Sequence, residues 1–361
     1  RKLIAALGHS LICKPPALKM SLFATSITHK IGRPLRAKPF LSIMPDSATP
    51  PEVSTLFATV ETQMQAVDAW LAARFLGAHP RLSPLLAHAS RFRGKRLRAA
   101  LVCLLGKACA GLTPEHVTVA GVLEMIHAAT LVHDDLLDEA SHRRGVDCLH
   151  VEWGSHASVL LGDWIYAQAF YLSTQMEDQA CSRELAGATM RVCEGEIHQN
   201  LTRGDFDLSE ADYISQVDGK TAELFRAGGL LAAHYAGATP QVQEACARYG
   251  LLAGRAFQIA DDLLDLEGEE TTTGKSLGTD WANGKMTMPL FFLRDSLDLT
   301  AQDELRKLFG AGHGREVLLG KFQDSLIDAL AKTRLRVKEL LDEACDALVL
   351  LPNQEVAQNL A

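Results

Sequence analysis

No run of eighteen apolar residues occurs anywhere in this 361-residue chain, so the sequence offers no membrane span. None of its eight cysteines is spaced C-x-x-C, and their scatter suggests neither a zinc site nor a disulfide framework. They read as small core side chains of a protein in a reducing compartment. Acid is missing from residues 1–45, which carry Arg1, Lys2, Lys14, Lys19, Lys30, Arg33, Arg36 and Lys38. Residues 46–361 therefore hold 28 bases against 44 acids, a balance of −16 inside a net charge of −8. So acidic a body disfavours a nucleic-acid partner. Apolar content of 47% with 22% charged residues also excludes disorder over the whole length.

Seven of the thirteen prolines fall in the first 51 positions, so that segment is not one continuous helix. Residues 1–50 form a basic, Pro-rich extension with the composition of a transit peptide, of a disordered tail, or of a stretch upstream of a start at Met44. The expected location is cytoplasmic, or the mitochondrial or plastid matrix if residues 1–50 are a targeting peptide. Residues 51–361 are expected to be one helical domain.

Between Glu115 and Thr239 there is no proline, and strand-like alternation is nearly absent from the chain. Apolar residues recur there at helical spacing, as in Val119, Val122, Leu123 and Ile126. Thr113-Pro114 and Thr239-Pro240 each place an N-cap before a first-turn proline. Ser209-x-x-Asp212 and Thr300-x-x-Asp303 resemble capping boxes with Asp in place of Glu. These signals predict helices near 52–77, 95–110, 114–138, 155–178, 181–202, 209–237, 240–266, 287–297, 301–309 and 315–350. The fold class is all-α, a single large bundle.

The same five letters occur twice, as Asp134-Asp135-Leu136-Leu137-Asp138 and Asp261-Asp262-Leu263-Leu264-Asp265. Positions i and i+4 share a helix face, so each motif clusters carboxylates. With 44 acids in 361 residues, one such spacing is weak evidence and a solvated face explains it. The apolar flanks, 126–132 and 256–260, make two of them harder to dismiss. Carboxylates crowded at the ends of apolar segments repel one another and resist desolvation. Hard divalent ions relieve that, and Mg²⁺ binds through one or two carboxylates plus substrate phosphates. Cations for a phosphorylated ligand are present in Arg93-Gly94-Lys95-Arg96-Leu97-Arg98, Arg143-Arg144, Lys220-Thr221, Gly274-Lys275 and Gly284-Lys285.

From about residue 90 to 295 the chain resembles the all-trans polyprenyl diphosphate synthases. The resemblance rests on Gly94 to Arg98, Glu124 to Gly145, Gly162-Asp163, Lys220-Thr221, Phe257-Gln258 with the second acidic motif, and Gly274-Lys275 through Gly284-Lys285. It implies a helical bundle, usually a homodimer, with both aspartate motifs facing a central cavity. It implies three Mg²⁺ bridging Asp134, Asp138 and Asp261 to an allylic diphosphate, with Asp135, Asp262 and Asp265 close by. Arg143, Lys220, Lys275 and Lys285 would hold that diphosphate, with Thr221 beside Lys220. Lys95, Arg98, His127 and Arg144 would hold isopentenyl diphosphate, with Phe257 and Gln258 packed beside it. The reaction implied is head-to-tail condensation: diphosphate leaves, and the isopentenyl double bond attacks the allylic cation.

Ala129 and Thr130 lie five and four residues before Asp134. In the family, bulky aromatics there close the elongation tunnel, so these small residues imply a long product, as in the branch resembling octaprenyl and solanesyl diphosphate synthases. The chain departs from the pattern at Arg93 and Ala99, and at residues 146–150, where Asp147 adds a negative charge near the implied diphosphate site. Two rivals are a class I terpene cyclase and a non-catalytic subunit of a hetero-oligomeric synthase. The duplicated, intact motifs speak against both. Glu124-x-x-His127 matches half of a di-iron ligand pattern, which requires two such motifs.

Overall fold

The computed structural model describes residues 57–76, 79–92, 96–143, 146–268 and 277–360. The extension at residues 1–50 and the expected contacts of Lys95, Arg144 and Lys275 lie outside them.

The chain enters through α1 (Glu61–Leu76) and a short α2 (Ser83–Ala89). Helix α3 (Leu97–Ala108) is buried on every side, with Ala99 to Leu105 at 0% exposure, which marks it as interior. Its N-terminus is closed from a distance. Glu124 of α4 (Pro114–Leu137) accepts the Ala99 amide at 3.2 Å and Arg96 Nη1 at 3.2 Å. That gives Glu124 a capping duty and explains its burial without any di-iron site. α4 itself starts at the expected cap, where Thr113 and His116 exchange hydrogen bonds. Its face Val119, Leu123 and Ile126 is fully buried, each side chain contributing about 1.5–3 kcal/mol.

A two-stranded hairpin, β1 (His142–Arg143) with β2 (Val146–Asp147), follows α4. Here Asp147 turns outward to His142, Oδ1 to Nε2 at 3.0 Å. After α5 (Leu149–Trp153) come the long helices α6 (Ser155–Ser173) and α7 (Ala180–Leu201). The predicted helix 209–237 is in fact three pieces: α8 (Glu210–Val217), a π turn (Asp218–Ala222) and α9 (Glu223–Tyr235). Helix α10 (Pro240–Glu267) packs against α9 and lies in the middle of the C-terminal half.

The remainder is α11 (Thr279–Ala282), α12 (Met288–Ser296), α13 (Leu299–Leu308), α14 (Glu316–Lys321), α15 (Gln323–Ala347) and α16 (Gln354–Leu360). The predicted cap at Thr300 is two residues late. Asp298 is the N-cap of α13, its carboxylate accepting the Ala301 amide at 2.9 Å. The predicted helix 315–350 breaks at Phe322, whose backbone leaves the helical region at φ −125° and ψ 25°. Ser209 and Thr239 cap α8 and α10 as expected. The five buried cysteines, 103, 109, 148, 181 and 246, are free thiols inside the bundle. No helix among the described residues is long and apolar enough to cross a membrane.

Candidate active site

Both acidic motifs sit at helix C-termini. Asp134 and Asp135 are in the last turn of α4 and Asp138 is its C-cap; Asp261, Asp262 and Asp265 occupy the last two turns of α10. A helix C-terminus carries partial negative charge, so six carboxylates are placed where the backbone field opposes them. Burial adds to that. It pushes the Asp134 carboxyl up to about 6, with Glu196 and Asp138 adding to the shift and Lys220 opposing it. In the second motif, burial and the charges of Asp280 and Asp261 hold the Asp262 carboxyl well above its usual range. Burial and neighbouring Asp265 likewise bring Asp280 to about 6.

Two lysines lie between the motifs. Lys285 Nζ is 3.3 Å from Asp138 Oδ1, and its charge also acts on Asp280. Lys220 acts on Asp134, Asp138 and Asp280 alike. Burial alone would raise the Asp138 carboxyl; Lys285, Lys220 and Arg203 together hold it below its usual value.

Lys220 is positioned by the π turn. Glu196 Oε2 at 2.5 Å and Gln199 Oε1 at 2.9 Å, both from α7, grip its ammonium. The turn reaches α7 because two glycines meet there. A Cβ on Gly195 would stand 2.6 Å from the Lys220 amide nitrogen, and one on Gly219 would stand 2.8 Å from the Arg191 carbonyl. Extra-residue turns of this kind concentrate at functional sites.

The six aspartates divide into two sets. Asp135 is buried and takes Arg143 on one oxygen, Nε at 2.7 Å and Nη2 at 2.6 Å. Asp262 accepts Gln258 Nε2 at 2.8 Å on one oxygen and the Tyr213 hydroxyl on the other. Thr221 donates to Gln258 at 2.7 Å, so Thr221, Gln258, Asp262 and Tyr213 form one buried chain. Asp265 receives Thr279 Oγ1 at 3.0 Å and the Asp280 amide at 3.1 Å, which ties α11 to α10. Asp135, Asp262 and Asp265, expected close by the metal ions, each accept protein donors here, Asp135 taking Arg143 on one oxygen. Asp138 meets the cations Arg203 and Lys285, and Asp261 is exposed near the end of α10.

A hard divalent ion fits this donor set. The carboxylates offer oxygen atoms, burial holds Asp134 above its usual range, and the backbone field at both helix ends calls for positive charge. Among the described residues no three acidic, histidine or cysteine side chains converge into a closed ligand cluster.

Residues 79–319 match the polyprenyl synthetase family. The chain belongs to that family. It is 35% identical to octaprenyl diphosphate synthase of Escherichia coli over 261 residues, 72% of this chain and 81% of that one. It is 34% identical to chloroplastic solanesyl-diphosphate synthase 2 of Oryza sativa over 244 residues, 66% of this chain and 57% of that one. Among solved structures it superposes on a decaprenyl diphosphate synthase from Rhodobacter capsulatus with a TM-score of 0.78 and 32% identity, covering 86% of this chain and 96% of that one. A polyprenyl synthase from Caulobacter crescentus, complexed with calcium and isoprenyl diphosphate, matches with a TM-score of 0.78 and 32% identity, over 85% and 94% of the two chains.

As a polyprenyl synthetase, the protein is a prenyltransferase of a magnesium-dependent family that works on isoprenyl diphosphates. Its second expected cationic group is less open than the first. Arg98 is buried, its guanidinium stacked over the Phe225 ring at 4.6 Å, with Phe257 against the same ring at 5.9 Å. Burial brings Arg98 down to about 10, Glu124 acting against the shift. Its Nε has no hydrogen-bond partner, so a buried cation keeps a donor free. His127 is half-buried, two turns before Asp134 on α4. Ala129 is enclosed completely, whereas Thr130 is half-buried and donates its hydroxyl to the His127 carbonyl at 2.8 Å.

Five site residues were not legible beforehand: Glu196, Gln199, Arg203, Tyr213 and Asp280. Glu196 and Gln199 had a signal, an i, i+3 pair beside Gly195, while the others meet their partners only through the fold. Tyr213→Phe should lower stability by about 1–3 kcal/mol, because one buried Asp262 oxygen loses its donor. A denaturant midpoint equal to that of the wild type would show that the hydroxyl does not support Asp262.

Proposed function

We propose that this enzyme elongates an all-trans chain by condensing isopentenyl diphosphate with an allylic prenyl diphosphate. The supporting observation is that Lys220 and Lys285 act together on Asp138 of the first aspartate motif and on Asp280, whose amide is bonded to Asp265 of the second.

Asp134, Asp138 and Asp261 would hold three Mg²⁺, which would supply positive charge to the departing allylic diphosphate. Arg143, Lys220 and Lys285, with Lys275, bind that diphosphate and stabilise the negative charge that develops as the C–O bond breaks. Arg98 and His127, with Lys95 and Arg144, hold isopentenyl diphosphate so that its double bond lies next to the allylic carbon. Positioning of the two substrates then supplies much of the rate. Phe225 and Phe257 wall the site and keep water from the cation. The departing diphosphate is the base that takes the final proton. Asp135, Asp262 and Asp265 act behind the metal-facing carboxylates, fixing Arg143, Gln258 and α11.

Small side chains at Ala129 and Thr130 favour a long product, hexaprenyl to decaprenyl. Thr130 is the more open of the two, so Thr130→Phe should shorten the product. Ala129→Phe would have the same effect only with an overpacking cost of about 1–3 kcal/mol. A homodimer is supported by apolar residues on the outer faces of α6 and α7: Leu160 68%, Tyr171 60%, Met190 57%, Ile197 58% and Leu201 81% exposed.

The test is chromatography of products from labelled isopentenyl diphosphate, Mg²⁺ and geranyl, farnesyl or geranylgeranyl diphosphate, using the purified single chain. Elongation is expected. A folded protein that extends no primer would overturn the reading, and turnover of an allylic diphosphate alone would favour a cyclase. Thr130→Phe giving unchanged products would remove Thr130 from the tunnel wall.

A further inference from the structure

We propose that Arg203 is a further diphosphate-binding residue, parked on Asp138 until that carboxylate takes metal; this rests on the reading of the site above. Arg203 Nη2 lies 3.0 Å from Asp138 Oδ1, the oxygen that also receives Lys285 Nζ at 3.3 Å. Two cations on one carboxylate leave an excess positive charge at the mouth of the site. A divalent ion on Asp138 would compete for the same lone pairs and would free the more exposed of the two, Arg203. The released guanidinium is then next to the metal-bound ligand, and its planar fork matches diphosphate oxygens.

The backbone beneath Arg203 is fixed. Arg203 follows the end of α7, and the next amide, Gly204, donates to the Gly284 carbonyl at 2.7 Å. Both glycines have positive φ, +85° at Gly204 and +67° at Gly284. A Cβ on Gly284 would stand 3.1 Å from Gly204 Cα, so the two turns touch backbone to backbone. On the other side Thr202 donates to the His198 carbonyl at 2.9 Å and accepts Gln216 Nε2 at 2.9 Å. Arg203 and Lys285 are therefore presented from one stitched pair of turns. Only the Arg203 side chain, 36% exposed against 13% for Lys285, has room to swing.

The experiment titrates inorganic diphosphate into the full chain at saturating Mg²⁺ by calorimetry and measures both substrate KM values. Wild type, Arg203→Gln and Arg203→Lys are compared. Arg203→Gln is expected to weaken inorganic diphosphate about tenfold, to raise the allylic KM similarly and to leave the isopentenyl diphosphate KM unchanged. Arg203→Lys should recover part of the loss. Wild-type affinity in a folded Arg203→Gln protein, or a loss confined to isopentenyl diphosphate, overturns the proposal. Lys220→Gln separates the two readings: if it also binds inorganic diphosphate like wild type, the whole site assignment falls, not Arg203 alone.

Discussion

Asp134→Asn should lose turnover by on the order of a thousandfold while making the metal-free protein more stable. The two effects have one cause. The folded state holds the Asp134 carboxyl at about 6 against an ordinary 3.8, chiefly through burial. Between roughly pH 4 and 6 the folded chain therefore binds more protons than the unfolded chain, and stability falls as pH rises through that window. Above it the full penalty is present, at most about 3 kcal/mol. Asparagine keeps the shape of the neutral acid, so the variant should melt higher than wild type at pH 8 and level with it near pH 4. Adding Mg²⁺ with inorganic diphosphate should reverse the order, because only wild type can use the added charge. Differential scanning calorimetry at the two pH values checks this. A metal-free variant that melts below wild type at pH 8 would mean that the carboxylate is there for structure.

Gly195→Ala is the second large effect. The new methyl would meet the Lys220 amide nitrogen at 2.6 Å and Gly219 backbone atoms at 3.0 Å, and none of these can rotate away. Either α7 or the π turn must move, which shifts the Lys220 ammonium relative to Asp134. A displacement near 1 Å can cost about a hundredfold in rate, and the overpacking about 1–3 kcal/mol. Lys220→Gln should lose comparable activity while melting close to wild type. Kinetics and melting of the pair therefore separate displacement from removal of the charge. If Gly195→Ala works at the wild-type rate, the glycine contact does not set the lysine.

What could be read in the chain was what acts locally. The apolar periodicity before Asp134 and Asp261 predicted two buried helices ending in carboxylates, and α4 and α10 end that way. Thr113, Ser209 and Thr239 declared their helices because a cap bonds within three residues. The Thr300 expectation failed because Asp298, two residues earlier, is also a strong cap and won. Contacts across the fold left no such trace. Arg203 reaches Asp138 over 65 residues and Tyr213 reaches Asp262 over 49. The π turn was equally silent, since residues 218–222 suit an ordinary helix and the extra residue is imposed by packing against Gly195. Asp135, Asp262 and Asp265 look like their motif partners in one dimension. Only burial and hydrogen bonding separate them.

The π turn also does something for the bundle. One added residue rotates everything after it by about 100° around the axis. Segments α8 and α9 thus share a rod but point their apolar sides at different neighbours. The first addresses α7, α10 and α12, while the second addresses α3, α4, α7 and α10. A regular helix would have kept one bearing throughout. Here the change of bearing falls at Lys220, so the same irregularity joins two halves of the bundle and aims the cation between them.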